Sequence, residues 1–174
     1  MRKNKEKRQT AKLLRGMRAK WISFNGTSWT LIGKNMESLS TNLNPDTETG
    51  KDVTGATYVE HKGYSPESDI EYQARDDDSI YTNLQAIVDN LYHDETHCGG
   101  FMIEATLNDE VKNAQGTTTV TGSGYKVPVM IVPQEDGGDT SGYTITFNVY
   151  ENGARTQGTV SVSDGAPTFT PATT

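Results

Sequence analysis

Three stretches of the sequence bring together side chains that could do chemistry. The densest is His93, Asp94, Glu95, His97 and Cys98, where two histidines four residues apart on a helix could share a metal with Asp94, as in a small metal-dependent hydrolase. The zinc-protease pattern, however, puts a glutamate directly after its first histidine, whereas here Asp94 follows His93 and the run meets Gly99-Gly100, where a helix frays. A histidine near a helix C-terminus is favourable simply through the dipole. The second group is Asp76, Asp77 and Asp78 with Asp69 and Glu71, carboxylates that could bind calcium or work as an acid/base pair. Three aspartates before an apolar periodic run are accounted for as helix caps. The glycine-rich pieces complete the set: Gly122-Ser123-Gly124 stands between strands with no helix to aim at a phosphate, and Gly137-Gly138-Asp139 reads as a loop before a strand. No nucleophile or oxyanion donor accompanies any of these groups, so the sequence predicts no enzyme, no catalytic residue, no metal and no cofactor.

The elements around them are mostly strands. Trp21 to Phe24 and Ser28 to Ile32 flank Asn25-Gly26, which predicts a hairpin. Residues 42–55 (NLNPDTETGKDVTG) are polar throughout and read as a long loop. Strands follow at Thr57 to His61 and, after a turn at residues 63–66, at Glu67 to Gln73. One strong helix is expected near 78–92, with Ile80, Leu84, Ile87, Val88 and Leu91 on a single core face at helical spacing. The rest alternates as strands: Phe101 to Leu107, Thr117 to Thr121, Tyr125 to Val132, Tyr143 to Tyr150 and Thr156 to Val162, with Asn152-Gly153 as a tight turn between the last two. The closing PTFTPATT is expected to be extended and anchored by Phe169. Several strands with one covering helix indicate an α+β, mainly β domain, an antiparallel sandwich or barrel with one flanking α-helix.

Charge divides the chain into a basic arm at 1–20 and a body at 21–174. The arm holds nine of the sixteen basic residues against Glu6 alone, a charge of +8; the body holds seven basic and 22 acidic residues, −15, and together these give the total of −7. A strongly acidic body weakens phosphate binding by a short arm, so the arm reads better as a segment that docks on the acidic body of a neighbouring copy. Apolar residues make up only 33% of the chain, which leaves a thin core and favours stability drawn from subunit interfaces. With no run of 18 apolar residues and no apolar stretch in the first twenty, no membrane insertion is expected and assembly is placed in the cytoplasm. The single Cys98 can form no internal disulfide.

From Ile32-Gly33-Lys34 through ESLSTNLNPDTETGKDVTGATYVEHKGYSPESDIEYQARDDDSIYTNLQAIVDN, and again at GGDTSGYTITFNVYENG, GTVSVSDG and TFTP, the sequence resembles the major tail tube proteins of long-tailed phages that infect Gram-positive bacteria. The resemblance implies a tail tube fold assembling into six-fold rings stacked around a channel for viral DNA, within the virion. It also implies a tape measure protein, a tail terminator and baseplate proteins as partners beside the chain itself, and only a transient, non-specific passage of DNA. The alternative is the inner tube of a contractile or phage-related injection system. Candidate contacts between rings are Arg8, Lys12, Arg15 and Arg18 in the arm, and Asn44, Asp46, Glu48, Lys51 and Asp52 in the polar segment.

Overall fold

The computed structural model describes residues 18–74, 79–112, 118–140 and 142–173. Most of the arm, with Arg8, Lys12 and Arg15, lies outside the described residues, as do Arg75 and the aspartates 76–78.

The alternating segments form the walls of a barrel. Strands β1 (Arg18–Ser23), β2 (Thr30–Asn42), β5 (Glu67–Gln73), β6 (Gly99–Lys112), β7 (Thr118–Asp139) and β8 (Gly142–Glu151) pair antiparallel in the order β7-β6-β1-β2-β5-β8, and β8 closes the circuit by also pairing with β7. Because strand side chains alternate between faces, every second residue points inward. These are Ile22, Ile70, Tyr72, Met102, Val127, Val129, Ile131, Ile145, Phe147 and Val149, which form one buried cluster. Helix α1 (Ser79–Asn90) adds Ile80 and Leu84 to that cluster. On the outer face, β9 (Thr156–Ser163) and β10 (Ala166–Pro171) extend the sheet beyond β7 and bring Val160 and Phe169 against Trp21, Ile103 and Ala105. The Trp21 indole Nε1 donates to the carbonyl of Gly165, 3.1 Å away, in the Asp164-Gly165 turn, where both residues have positive φ as a tight hairpin requires. The fold is therefore a mainly β, antiparallel barrel with a second layer and a flanking helix.

Several local expectations are corrected. Residues 42–55 are not a structureless loop: β3 (Pro45–Lys51) pairs with β4 (Thr57–Tyr64) as a separate two-stranded hairpin, with only 52–56 as its turn. Gly122-Ser123-Gly124 does not break a strand but lies inside β7; a Cβ on Gly122 would sit 2.0 Å from the Thr106 carbonyl oxygen, so the glycines permit close approach to β6. Gly137-Gly138-Asp139 likewise belongs to β7, paired with the start of β8. Asn152-Gly153 is not a hairpin turn. β8 and β9 follow one another along β7, pairing with residues 129–139 and 119–126 respectively, and Asn152 N–H donates to Pro128 O at the break between them. Between β1 and β2 the turn is longer than two residues, because the Asn25 side-chain oxygen accepts from the backbone N–H groups of Thr27 and Ser28 and holds an open loop. The terminal PTFTP segment is a paired strand, with Phe169 packed as its anchor.

Candidate assembly surfaces

The β3–β4 hairpin stands where β2 would otherwise turn directly into β5. Asn42 pairs with Glu67 and Pro45 with Tyr64, so the two ribbons are consecutive and are pinched at Asn44 and Ser65. Asn44 has φ 44°, and its Nδ2 donates to Ser65 O at 3.2 Å while Ser65 N–H donates back to Asn44 O, also at 3.2 Å. At the other end Asp52 builds the turn: its Oδ1 accepts from Thr54 N, Thr54 Oγ1 and Ala56 N. The hydrogen bond from the Thr54 hydroxyl, with those from the backbone, lowers the Asp52 pKa below its ordinary value. On the strands, Glu48 is ion-paired with Lys62, and Asp46 and Lys51 are exposed. The hairpin also exposes Val53 completely, together with Tyr58, Val59 and Tyr64. Exposed aliphatic and aromatic side chains on a projecting ribbon are the composition of a surface awaiting a partner.

Below the hairpin, one end of the barrel is filled by charge instead of hydrocarbon. Lys20, Glu104 and Tyr125 lie directly opposite one another on β1, β6 and β7. The Lys20 ammonium is 3.2 Å from Glu104 Oε2 and donates to Thr41 Oγ1 (2.6 Å) and Ser68 Oγ (3.2 Å), while Tyr125 OH donates to Glu104 Oε2 (2.7 Å). Arg18, at the root of the arm, pairs with the other Glu104 oxygen. Burial pushes the Glu104 carboxyl up, but Lys20, the Tyr125 hydroxyl and Arg18 together outweigh it and hold the group below the usual carboxylate range. Burial lowers Lys20, with Glu104 opposing, and burial followed by the Glu104 hydrogen bond raises Tyr125. Arg155 binds Glu151 through two nitrogens at 2.6 and 2.7 Å and lies over the Tyr125 ring at 4.2 Å. The charge pattern placed Lys20 in the basic arm; its contacts instead make it part of the barrel interior, and β1 begins at Arg18.

A third surface is a groove of about 350 Å³ between the end of α1 and the second half of β7, walled by Ile87, Val88, Tyr92, Met130, Val132 and Pro133. Of the residues expected on the helix core face, Ile80, Leu84 and Ile87 are buried and Val88 is half-buried. Leu91 departs from that expectation. It has φ 51°, the left-handed conformation that ends a helix, which turns its side chain out to 81% exposure at the rim of the groove. Glu135 and Asp136 are exposed on the opposite lip, Asp136 accepting from Tyr143 OH at 2.7 Å. That bond, with partial burial and the charges of Asp136 and Asp89, pushes the Tyr143 phenol up to about 12.

The histidine-rich stretch is divided between elements. α1 ends at Asn90, and Asp94 caps a separate one-turn helix, α2 (Glu95–Cys98), accepting from His97 N at 3.1 Å. His97 Nδ1 lies 2.8 Å from the same carboxylate and its ring stacks on Tyr92 at 3.8 Å, so its polar contact is spent on a cap. His97 lowers the Asp94 pKa. The Cys98 thiol is buried and its pKa raised, first by that burial, which keeps it protonated and unreactive. Among the described residues no three His, Cys, Asp or Glu side chains are grouped to hold a metal.

No protein-family model matches the sequence, and no curated protein is similar to it. Among solved structures, the chain is similar to one in the cryo-EM structure of the PVC sheath-tube complex in its extended state, an extracellular contractile injection system, with 9% identity over 86% of this chain and 88% of that chain and a TM-score of 0.41. A chain of the anti-feeding prophage (AFP) baseplate, 6-fold symmetrised, is similar at 10% identity over 87% and 97% of the two chains, again with a TM-score of 0.41.

Proposed function

We propose that the chain is the repeating, non-catalytic subunit of a phage tail tube, with six copies closing a ring and rings stacking around a channel for DNA. The observation that carries this reading is the β3–β4 hairpin, a separate two-stranded ribbon set off from the barrel strands at the Asn44–Ser65 pinch and exposing Val53, Tyr58 and Val59. Such an arm inserts into a different surface of the next copy, and contacts between unlike surfaces generate rings or helical stacks. Asn44, Asp46, Glu48, Lys51 and Asp52, all on this hairpin or its base, are its polar contacts to the neighbouring ring, and the N-terminal arm is a second tie. A net acidic body offers a passing phosphate backbone few cations to displace the counterions condensed on it, so DNA slides past without binding. Tape measure, terminator and baseplate proteins would meet the ends of such a tube.

The test is electron microscopy of the purified chain. Rings or tubes with a central channel are expected, and a chain that stays monomeric at high concentration over a range of salt contradicts the reading.

A further inference from the structure

We propose that the groove between the end of α1 and the second half of β7 receives the Leu13-Leu14 segment of a second copy's N-terminal arm. This inference rests on the tube reading for the presence of a neighbouring copy, and adds the receiving surface.

The groove is apolar at its floor and acidic at its lip. Ile87, Val88, Met130, Val132 and Pro133 supply hydrocarbon, Leu91 stands exposed at the entrance, and among the described residues no lysine or arginine lines it. Glu135 and Asp136 sit on one side, so two carboxylates stand at the opening. The occupant must then be apolar at its centre and cationic at its flanks. The sequence Lys12-Leu13-Leu14-Arg15 has that order, two leucines between two cations, with Met17 and Arg18 following. None of the hairpin's exposed apolar residues has a cation on both sides: Val53 lies between Asp52 and Thr54, and Val59 between Tyr58 and Glu60. From Arg18, which is fixed to Glu104, the four residues back to Leu14 span at most about 14 Å when extended, so the receiving groove is one on an adjacent copy that lies within that distance of the arm's root. The lip carboxylates steer the arm and fix its direction, while burial of the leucines supplies the affinity.

The test is disulfide trapping between two differently tagged copies of the full chain. One carries Leu14→Cys and the other Leu91→Cys, a position exposed enough to be changed without unfolding; buried Cys98 stays in place in both, and the unsubstituted chain supplies its background. Leu14→Cys mixed with Thr168→Cys, exposed on β10, is the control. The expected result is a mixed disulfide for the Leu14–Leu91 pair at several times the control yield, lost when Glu135→Lys and Asp136→Lys are added to the receiving copy. Tubes that form while the Leu14–Leu91 pair gives no more product than the control overturn the groove assignment and leave the tube reading standing. Conversely, the specific disulfide in a chain that forms neither rings nor tubes retains the groove and removes the tube. Product that is insensitive to the two charge reversals overturns the proposed recognition.

Discussion

Lys20 and Glu104 face each other across the β1–β6 ladder inside the barrel, ammonium and carboxylate 3.2 Å apart, with side chains 8% and 5% exposed. A charged pair at that depth is held by its full set of partners, here Thr41, Ser68, Tyr125 and Arg18. Removing one member leaves the other ionised without compensation, which is far more damaging than exchanging both for hydrocarbon.

Glu104→Ala should therefore lower the unfolding free energy by about 3–5 kcal/mol, measured by urea denaturation, while Lys20→Met combined with Glu104→Leu should recover most of the loss. The pH dependence follows from the depressed Glu104 pKa. As pH falls, the unfolded chain takes up the proton first, so this contribution is complete above the ordinary carboxylate value of about 4.3 and is lost as pH drops through the lower folded value. Glu104→Gln should remove that part of the acid limb. An unchanged acid limb would show that the pair contributes nothing to acid stability.

The helix supplies a contrast between two leucines seven residues apart. Leu84 is fully buried, and Leu84→Ala should destabilise the chain by about 2–5 kcal/mol. Leu91 pays for a left-handed backbone with an exposed side chain, so Leu91→Gly should be neutral or stabilising by up to about 1 kcal/mol. Thermal unfolding of both variants at equal concentration tests the pair, and a large loss in Leu91→Gly would place that side chain in a core.

Excision of the hairpin separates folding from assembly. Joining Asn44 to Ser65 through a two-residue Asn-Gly turn uses the contact that already links them. The shortened chain should keep its barrel, with a melting temperature within a few degrees of the parent, but form neither rings nor tubes. Tubes of normal length from this variant would move the assembly contacts elsewhere on the body.

What the sequence disclosed follows from where burial leaves a mark. β5 and β8 have one face in the core, so alternation gave Glu67 to Gln73 in full and the Tyr143 to Tyr150 run within a residue at either end. β3 and β4 are exposed on both faces, and a ribbon with no buried side carries no period to read, so β3 reads as part of the loop; Thr57 to His61, expected as a strand, is the first part of β4. Gly122 and Gly124 punctuate a sequence as loops do, yet here the missing Cβ serves a ladder, a need visible only with Thr106 and Glu104 in place. The pairing of Lys20 with Glu104 joins positions 84 residues apart, and Lys20 follows a run of cations that hides it. His93, Asp94, Glu95, His97 and Cys98 resembled a metal site because ligand types cluster there; α1 ends at Asn90 and α2 begins only at Glu95, so His93 lies in the link and His97 on the second helix, not four apart on one helix.

Charge leads to the last prediction. Among the described residues, Lys20 is buried, Lys62 is paired with Glu48, and Arg155 is held by Glu151. Lys126 lies over the rings of Phe101 and Trp29 at 4.6 and 5.5 Å. These four cations are engaged within the subunit, and a phosphate would have to displace those contacts to bind them; Lys51, exposed on the hairpin, stands next to the acidic Asp52. Residues 18–174 carry nine basic and 22 acidic side chains, a net −13. A chain lacking residues 1–17 should therefore not retain duplex DNA in filter binding even at about 50 mM salt, where each phosphate contact would contribute a slope of roughly −0.9 in log affinity against log salt. The full-length chain, dispersed as monomers, should bind through its arm and lose that binding steeply as salt rises. Tubes assembled from the same chain should bind less DNA per subunit than the monomers, because the arms are then occupied by neighbouring copies. Tubes that hold DNA as tightly as monomers, with the same salt slope, would leave the arms free for nucleic acid and defeat both the docking of the arm and the sliding channel.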